Sequence, residues 1–256
     1  MKSKKYSIFT ISDSTYFLFT EVFLKSLDSK LDKDKINKVY ICDLGHTQSE
    51  KDFINSFDKV ELIQPIKKID PSKSLWDDNW LKIVGSKTEN LLNLFKQKDE
   101  TIIMIDIDSM FIKDFYDLLD FESDMQIAHR PFVAGLHYIA SFVLFNKKET
   151  CISFIETWIR NQSRIWKLPK ETKALCLTIN ELTIDNFKIS NLPVEQIHFY
   201  DNEKYLEVND TRIAHFKTWK KGMELGTKED FKSRTFTRGY EERLKEYIDV
   251  SSYISE

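Results

Sequence analysis

Two aspartates, one residue apart, follow an apolar run in the middle of the chain, in T-I-I-M-I-D-I-D-S at residues 101–109. The β-branched run predicts a strand buried on both faces. Because strand side chains alternate, Asp106 and Asp108 would point to one side and Ile107 to the other. Adjacent carboxylates repel each other, and a divalent cation removes that cost. The pair therefore indicates a metal site. The alternative is a strand end in which Asp108 caps a turn and Asp106 pairs with a lysine.

A histidine late in the chain is the candidate third ligand. His215 follows a short apolar stretch in R-I-A-H-F-K-T-W-K-K-G. An imidazole beside two carboxylates suits Mn²⁺, and Mg²⁺ is also compatible with it. The adjacent Lys217, Lys220 and Lys221 are suited to neutralising phosphate oxygens, so the set fits a metal-bound diphosphate whose departing charge the metal stabilises. The alternatives are a structural histidine and lysines in a solvated loop.

Alternating strand-like and helix-like segments must position these groups. In the first half we predict strands at 6–11, 38–42, 60–63 and 101–105, and helices at 16–27, 49–57 (with Ser49 as a possible cap) and 77–96. In the second half we predict strands at 125–128, 140–145, 196–199 and 212–214, and helices at 148–164, 170–182 and 241–248. This order predicts an α/β fold with a mostly parallel central sheet flanked by helices.

The predicted sheet places ligands at the carboxyl ends of its strands, where Asp13 and Asp106 both lie. No repeat or Pro/Gly linker interrupts the chain, so residues 1–256 are expected to form one domain. Its front half, about 1–110, would bind a nucleotide, and its back half, about 111–256, would face an acceptor.

Composition excludes several classes of function. A net charge of −3 gives no overall attraction to nucleic acid. The 3 cysteines form no C-x-x-C pair, which disfavours a disulfide framework or a zinc knuckle and favours a reducing compartment.

The N-terminal apolar run is too short for a signal peptide and no stretch is long enough to span a bilayer, so we expect a cytoplasmic protein. Neither G-x-G-x-x-G nor a P-loop occurs, so a bound nucleotide would need a metal at its phosphates.

The D-x-D pair and the late H-F-K-T-W-K-K-G segment together resemble a GT-A nucleotide-sugar glycosyltransferase, closest to the family 8 (galactosyltransferase and glycogenin-like) type. That family has H-x-x-G-x-x-K-P-W near its end. His215 and Lys221 match its histidine and lysine, whereas Thr218 replaces its glycine and no Pro-Trp follows. The resemblance implies that His215 binds the metal with Asp106 and Asp108, that Ile107 between them also contacts the cofactor, and that Lys221 binds the diphosphate. Lys217 or Lys220 are alternatives to Lys221.

The first predicted strand ends in a second family-like pattern. Asp13 and Tyr16 in I-S-D-S-T-Y resemble the family's D-x-x-Y, whose aspartate lies at the uracil and whose tyrosine stacks on the base. By the same resemblance, the backbone of Thr10 and Ile11 would border the base. The alternative for Asp13 is a helix N-cap.

Three further segments are placed by the resemblance. Residues 138–146, Y-I-A-S-F-V-L-F-N, resemble F-N-[AS]-G-V-x-L-x-N, with Ala140 and Ser141 at the small positions beside the donor sugar. Residues 171–175, E-T-K-A-L, resemble D-Q-x-x-L, which makes Glu171 the catalytic candidate, as a base or charge stabiliser. It is alternatively a helix N-terminal glutamate. The family's basic residue on the helix before D-x-D corresponds to Lys87 rather than Lys82.

The resemblance implies a metal-dependent glycosyltransferase that moves a sugar from a UDP-sugar to an acceptor hydroxyl, in glycan or surface-polysaccharide synthesis. Two alternatives stay open. A phosphohydrolase of the haloacid-dehalogenase kind would use Asp106 as its nucleophile, although about a hundred residues precede it and Met110 replaces the expected Thr or Val. The second alternative is a non-catalytic sugar-nucleotide-binding module. It is suggested by the Y-I-A-S and E-T segments, which depart from the family's F-N-[AS]-G and D-Q patterns.

Overall fold

A computed structural model describes residues 4–70, 77–130, 135–165, 170–182, 186–194, 211–216, 224–235 and 241–249. The strands in these ranges are β1 (Tyr6–Ser12), β2 (Ile36–Asp43), β3 (Val60–Ile63), β4 (Ile102–Ile105), β5 (Ser109–Phe111), β6 (Met125–His129), β7 (Tyr138–Phe145), β8 (Ile189–Pro193) and β9 (Ile213–His215). The α-helices are α1 (Phe17–Lys30), α2 (Gln48–Asn55), α3 (Asp78–Gln97), α4 (Lys148–Arg164), α5 (Lys170–Asn180), α6 (Lys228–Thr235) and α7 (Glu241–Leu244).

A central sheet of 7 strands runs in the order β3-β2-β1-β4-β7-β6-β8. Its front strands β1 to β4 pair in parallel, whereas β7 pairs antiparallel to both β4 and β6. The chain leaves β1 toward β2 on one side and later returns as β4 on the other. The sheet therefore has a switch in strand order at β1, and ligand sites form at such switches.

Helices cover both faces of this sheet, as alternating side chains on β1 illustrate. Ile8 packs into a buried cluster with Phe23 of α1 and Ile54 of α2. Its neighbour Phe9 faces the other way, into a cluster with Phe95 of α3 and Trp158 of α4. Burial on both sides explains why β1 reads as a nearly continuous apolar run. Of the helices in the described ranges, none has the length and apolar character needed to cross a bilayer.

The predicted α/β class with a mostly parallel, helix-flanked sheet is confirmed. Strands β5 and β8 were not predicted, because each has few residues and little apolar alternation. The predicted strand at 196–199 lies outside the described residues. The last helix ends at Leu244, short of the predicted 248.

The predicted cap of α2 is wrong by two positions. Thr47, not Ser49, is the N-cap, and it forms a capping box with Glu50. The Thr47 hydroxyl accepts the Glu50 backbone N–H, and the Glu50 carboxylate accepts the Thr47 backbone N–H at 2.7 Å. This reciprocal pair satisfies two donors at once, whereas Ser49, two positions later, already lies inside the helix.

The carboxylate that ends β2 gives a stability prediction. Asp43 accepts the backbone N–H groups of Gly45 (3.0 Å) and His46 (2.8 Å), and it pairs with Lys51 at 2.7 Å. Burial alone would raise the pKa of Asp43, but these bonds lower it to about 2. We expect Asp43→Asn to reduce the free energy of unfolding by about 2 kcal/mol at pH 7.

The sign of the effect sets its pH dependence. A carboxylate with a lowered folded-state pKa contributes stability above its unfolded pKa and loses it as pH falls toward 2. Urea denaturation at stepped pH should therefore show the wild type and Asp43→Asn converging between about pH 4 and pH 2. The exposed Asp52 on α2 provides the control Asp52→Asn, which should change little. If the difference in unfolding free energy between the wild type and Asp43→Asn stays constant down to pH 2, the lowered pKa of Asp43 is not its cause.

Candidate functional site

The two aspartates lie in a bend between β4 and β5, and their backbone is held from two sides. The Asp106 N–H donates to the carbonyl of Ser141 on β7 at 3.2 Å. The carbonyl of Asp108 accepts the N–H of Phe216 at 2.7 Å. These bonds fix the turn beyond the end of β4, so both carboxylates enter the same cleft.

His215 reaches this turn through the two-stranded ribbon β5–β9, in which it is paired with Ser109. Its Nε2 lies 3.2 Å from Asp108 Oδ1 and 3.5 Å from Asp106 Oδ2. One ligand atom from each residue lies within 4.8 Å of the others. The structure therefore brings together the three residues that the sequence predicts as metal ligands, although their role in metal binding stays a prediction.

Each aspartate turns its other oxygen toward a buried cation. Lys87, only 4% exposed, contacts Asp106 Oδ1, and Arg234 lies 3.2 Å from Asp108 Oδ2 through Nη1. The lysine partner considered for Asp106 as an alternative to metal binding is thus also present. Burial alone would raise the pKa of Asp108, but the positive charges and hydrogen bonds of His215 and Arg234 lower it below its usual range. The carboxylate is therefore ionised and available as a ligand at neutral pH.

The two cations are each shared with a second carboxylate. Lys87 lies 2.8 Å from Glu171 at the start of α5, and Arg234 Nε lies 2.7 Å from Asp230 on α6. These six groups comprise four carboxylates and two cations, so they leave two negative charges beside an imidazole. Hard oxygen donors with this charge excess fit a divalent ion such as Mn²⁺ or Mg²⁺.

The nucleotide end predicted for the cleft lies directly after β1. Asp13 is 3% exposed, and its Oδ1 accepts the Tyr16 backbone N–H at 3.2 Å, so the alternative N-cap role exists. Burial raises the pKa of Asp13 against the lowering effect of this bond. The Tyr16 hydroxyl accepts N–H groups from Trp80 and Arg234, each at 3.4 Å. Asp13 and the Tyr16 ring therefore both border the cleft.

A single cavity is lined by every predicted site residue that falls in the described ranges. At the end of β1 and just after it these are Thr10, Ile11, Asp13 and Tyr16. Around the two aspartates they are Lys87, Asp106, Ile107, Asp108, Ala140, Ser141, Glu171 and His215. The predicted phosphate ligands Lys217 and Lys221, like Lys220, lie outside the described residues.

Arg234 also lines this cavity and was not predicted. It lies in K-E-D-F-K-S-R-T, a charged segment with no catalytic motif. The only local signal is the spacing of Asp230 and Arg234, which matches an i,i+4 ion pair on a helix. Such pairs are common on solvated helix faces, so the spacing alone does not indicate a site.

No family model matches this sequence, and no curated protein does. Solved structures do match. The galactosyltransferase LgtC, solved with donor and acceptor sugar analogues, aligns with a TM-score of 0.61 and 14% identity, covering 98% of this chain and 97% of that one. The glycosyltransferase GlyE of Streptococcus pneumoniae TIGR4 aligns with a TM-score of 0.58 and 18% identity, covering 98% and 62%.

The bifunctional glycosyltransferase WbbM aligns with a TM-score of 0.58 and 12% identity. The alignment covers 96% of this chain, which therefore spans only about half (52%) of the WbbM chain. At this level of identity the likeness establishes the fold. The chain has the GT-A fold shared by these glycosyltransferases.

Proposed function

We propose that this protein is a metal-dependent glycosyltransferase that moves a sugar from a UDP-sugar to a carbohydrate hydroxyl. The convergence of Asp106, Asp108 and His215 supports the proposal, because one atom of each, of types that bind divalent ions, lies within 4.8 Å of the others. The site lies at the switch in strand order of a sheet whose structural neighbours are glycosyltransferases. This combination favours glycosyl transfer over the aspartyl-phosphate alternative.

Different residues of the cleft are proposed to bind the base and the diphosphate. Asp13 and the backbone of Thr10 and Ile11 are proposed to contact the base, and Tyr16 to stack on it. Asp106, Asp108 and His215 would hold Mn²⁺ or Mg²⁺, which when bound would act as a Lewis acid toward the leaving diphosphate. Lys217 and Lys221 remain the proposed phosphate ligands.

Glu171 is proposed as the carboxylate on the sugar side. It lies across Lys87 from Asp106 and borders the same cavity as Ala140 and Ser141. The small side chains at 140 and 141 leave room for a sugar ring next to the β7 backbone. In this arrangement Glu171 would stabilise positive charge that develops on the sugar, or would accept a proton.

Metal removal tests the proposal directly. We expect the purified protein to release UDP from at least one sugar in a UDP-sugar panel with Mn²⁺ present. EDTA should abolish release and added Mn²⁺ should restore it. If EDTA leaves the rate of UDP release unchanged, the proposed metal dependence is wrong. UDP binding by calorimetry without transfer to any acceptor would support the non-catalytic alternative, and phosphate trapped on Asp106 would support the phosphohydrolase.

The proposed setting is glycan assembly in the cytoplasm, such as synthesis of a surface-polysaccharide precursor. Cys42, Cys151 and Cys176 are all buried free thiols, as expected of a protein from a reducing compartment. Fractionation that finds the chain in an oxidising compartment would contradict this setting.

A further inference from the structure

We propose that Arg234 is a positioning residue that fixes the base-stacking ring relative to the metal ligands, an inference that rests on the proposed function. Its guanidinium spans the two ends of the cleft. Nη1 lies 3.2 Å from Asp108 Oδ2, and Nη2 donates to the Tyr16 hydroxyl at 3.4 Å. One rigid planar group thus connects a proposed metal ligand to the proposed base-stacking side chain.

The guanidinium is itself held in place. Arg234 is 1% exposed, and its Nε donates to Asp230 Oδ1 at 2.7 Å. The other oxygen of Asp230 accepts the N–H of Gly226 at 3.2 Å. The buried pair therefore links α6 to the turn before it, and the position of Arg234 is set by that turn.

The turn that contains Gly226 packs closely against Thr15, the residue before Tyr16. Gly226 has a φ of +74°, and a Cβ added there would lie 2.8 Å from the carbonyl oxygen of Thr15. Thr15 separates Ser14 from Tyr16 in the short 3₁₀ segment Ser14–Tyr16. A glycine is needed at this approach, so α6 is placed against Tyr16 by backbone contact as well as by Arg234.

The flat shape of the guanidinium matters as much as its charge. Its Cζ lies 5.2 Å from the centroid of the Tyr16 ring and 5.1 Å from that of Phe19. Lysine would keep a positive charge beside Asp108 and Asp230. It has no planar face for the two rings and cannot bond Asp108, Asp230 and Tyr16 in three fixed directions.

Arg234→Lys therefore separates positioning from charge. We expect its affinity for uridine, which has no phosphates, to fall about fivefold in NMR titrations of the full chain, since the Tyr16 hydroxyl keeps Trp80 but loses Arg234, and the ring loses the planar guanidinium beside it. Affinity for Mn²⁺ alone, from calorimetry, should change by less than about threefold because the charge beside Asp108 is kept. Arg243→Lys, the same change at an exposed arginine after α6, is the matched control and should leave both affinities unchanged.

Tyr16→Phe removes only the hydroxyl, which accepts from both Arg234 and Trp80, and it provides a second test if Arg234→Lys fails to fold. We expect Tyr16→Phe to weaken uridine binding about threefold, and the double variant to lose less than the sum of the two single effects, in free-energy terms. Unchanged uridine affinity in either single variant, or strictly additive effects, would overturn the positioning role.

Two other outcomes are distinguishable. If Arg234→Lys weakens UDP binding but not uridine binding, Arg234 contacts phosphate and the positioning role is wrong. If the wild type binds neither UDP nor Mn²⁺, the proposed function fails and this inference fails with it. If the wild type binds both and Arg234→Lys matches it, only the inference about Arg234 fails.

Discussion

Asp108→Asn is expected to lower the rate of UDP release from a UDP-sugar by at least about a thousandfold. Asparagine has nearly the shape of aspartate but lacks the charge that faces His215 and the proposed ion. Arg234 keeps Asp230 as a partner in this variant, so the surrounding helix should stay in place. The loss is therefore expected in the metal-dependent step rather than in folding.

The rate would be measured with saturating Mn²⁺ and UDP-sugar, together with Mn²⁺ affinity by calorimetry. Asp117→Asn is the control, because Asp117 is 62% exposed in its side chain and pairs with Arg212 outside the cleft. It should keep full turnover. An Asp108→Asn protein that is as fast as the wild type would remove the basis for the metal site.

Lys87→Met is expected to lower the free energy of unfolding by about 3–5 kcal/mol. Burial alone would lower the pKa of Lys87, but Asp106 and Glu171 raise it, so the ammonium is charged in the folded protein. Methionine fills similar space but leaves both carboxylates without this cation. Removing one partner from a buried ionic cluster costs far more than breaking a surface pair.

Urea denaturation at pH 7 without added metal would measure this loss. Lys82→Met makes the same change on the same helix at an exposed lysine, and should cost little. Mn²⁺ should recover part of the stability of Lys87→Met, because an ion that binds the folded state near Asp106 stabilises it by mass action. Equal losses at Lys82 and Lys87 would show that Lys87 is not part of a buried ionic cluster.

Local sequence patterns were sufficient for the front half of the fold. Strands β1 and β4 are buried on both faces, so β4 is apolar throughout and β1 is apolar at most of its positions. Helix α3 has apolar residues at helical spacing, and it begins at Asp78 after the N-cap Asp77, one residue from the predicted start. Because β1 and β4 are parallel neighbours, the residues after them meet at one edge, which placed Asp13 and Asp106 correctly.

Sequence alone also indicated the candidate metal ligands, since D-x-D after a buried strand and a histidine in H-F-K-T-W-K-K-G are local patterns. It left open whether they meet. That depends on pairing of β5 with β9, two strands of three residues each that are distant in the chain. Strands this short carry almost no periodic signal, and their stability comes from each other and the core beneath them.

Only the tertiary structure decided which cations face the aspartates. The sequence favoured Lys87 over Lys82 by resemblance, and the structure buries Lys87 between Asp106 and Glu171. Arg234 had no such signal, because it meets Asp108 across 126 positions. The physical reason is that charge pairing in a buried cluster depends on distances in space, whereas helix and strand periodicity depend on spacing along the chain.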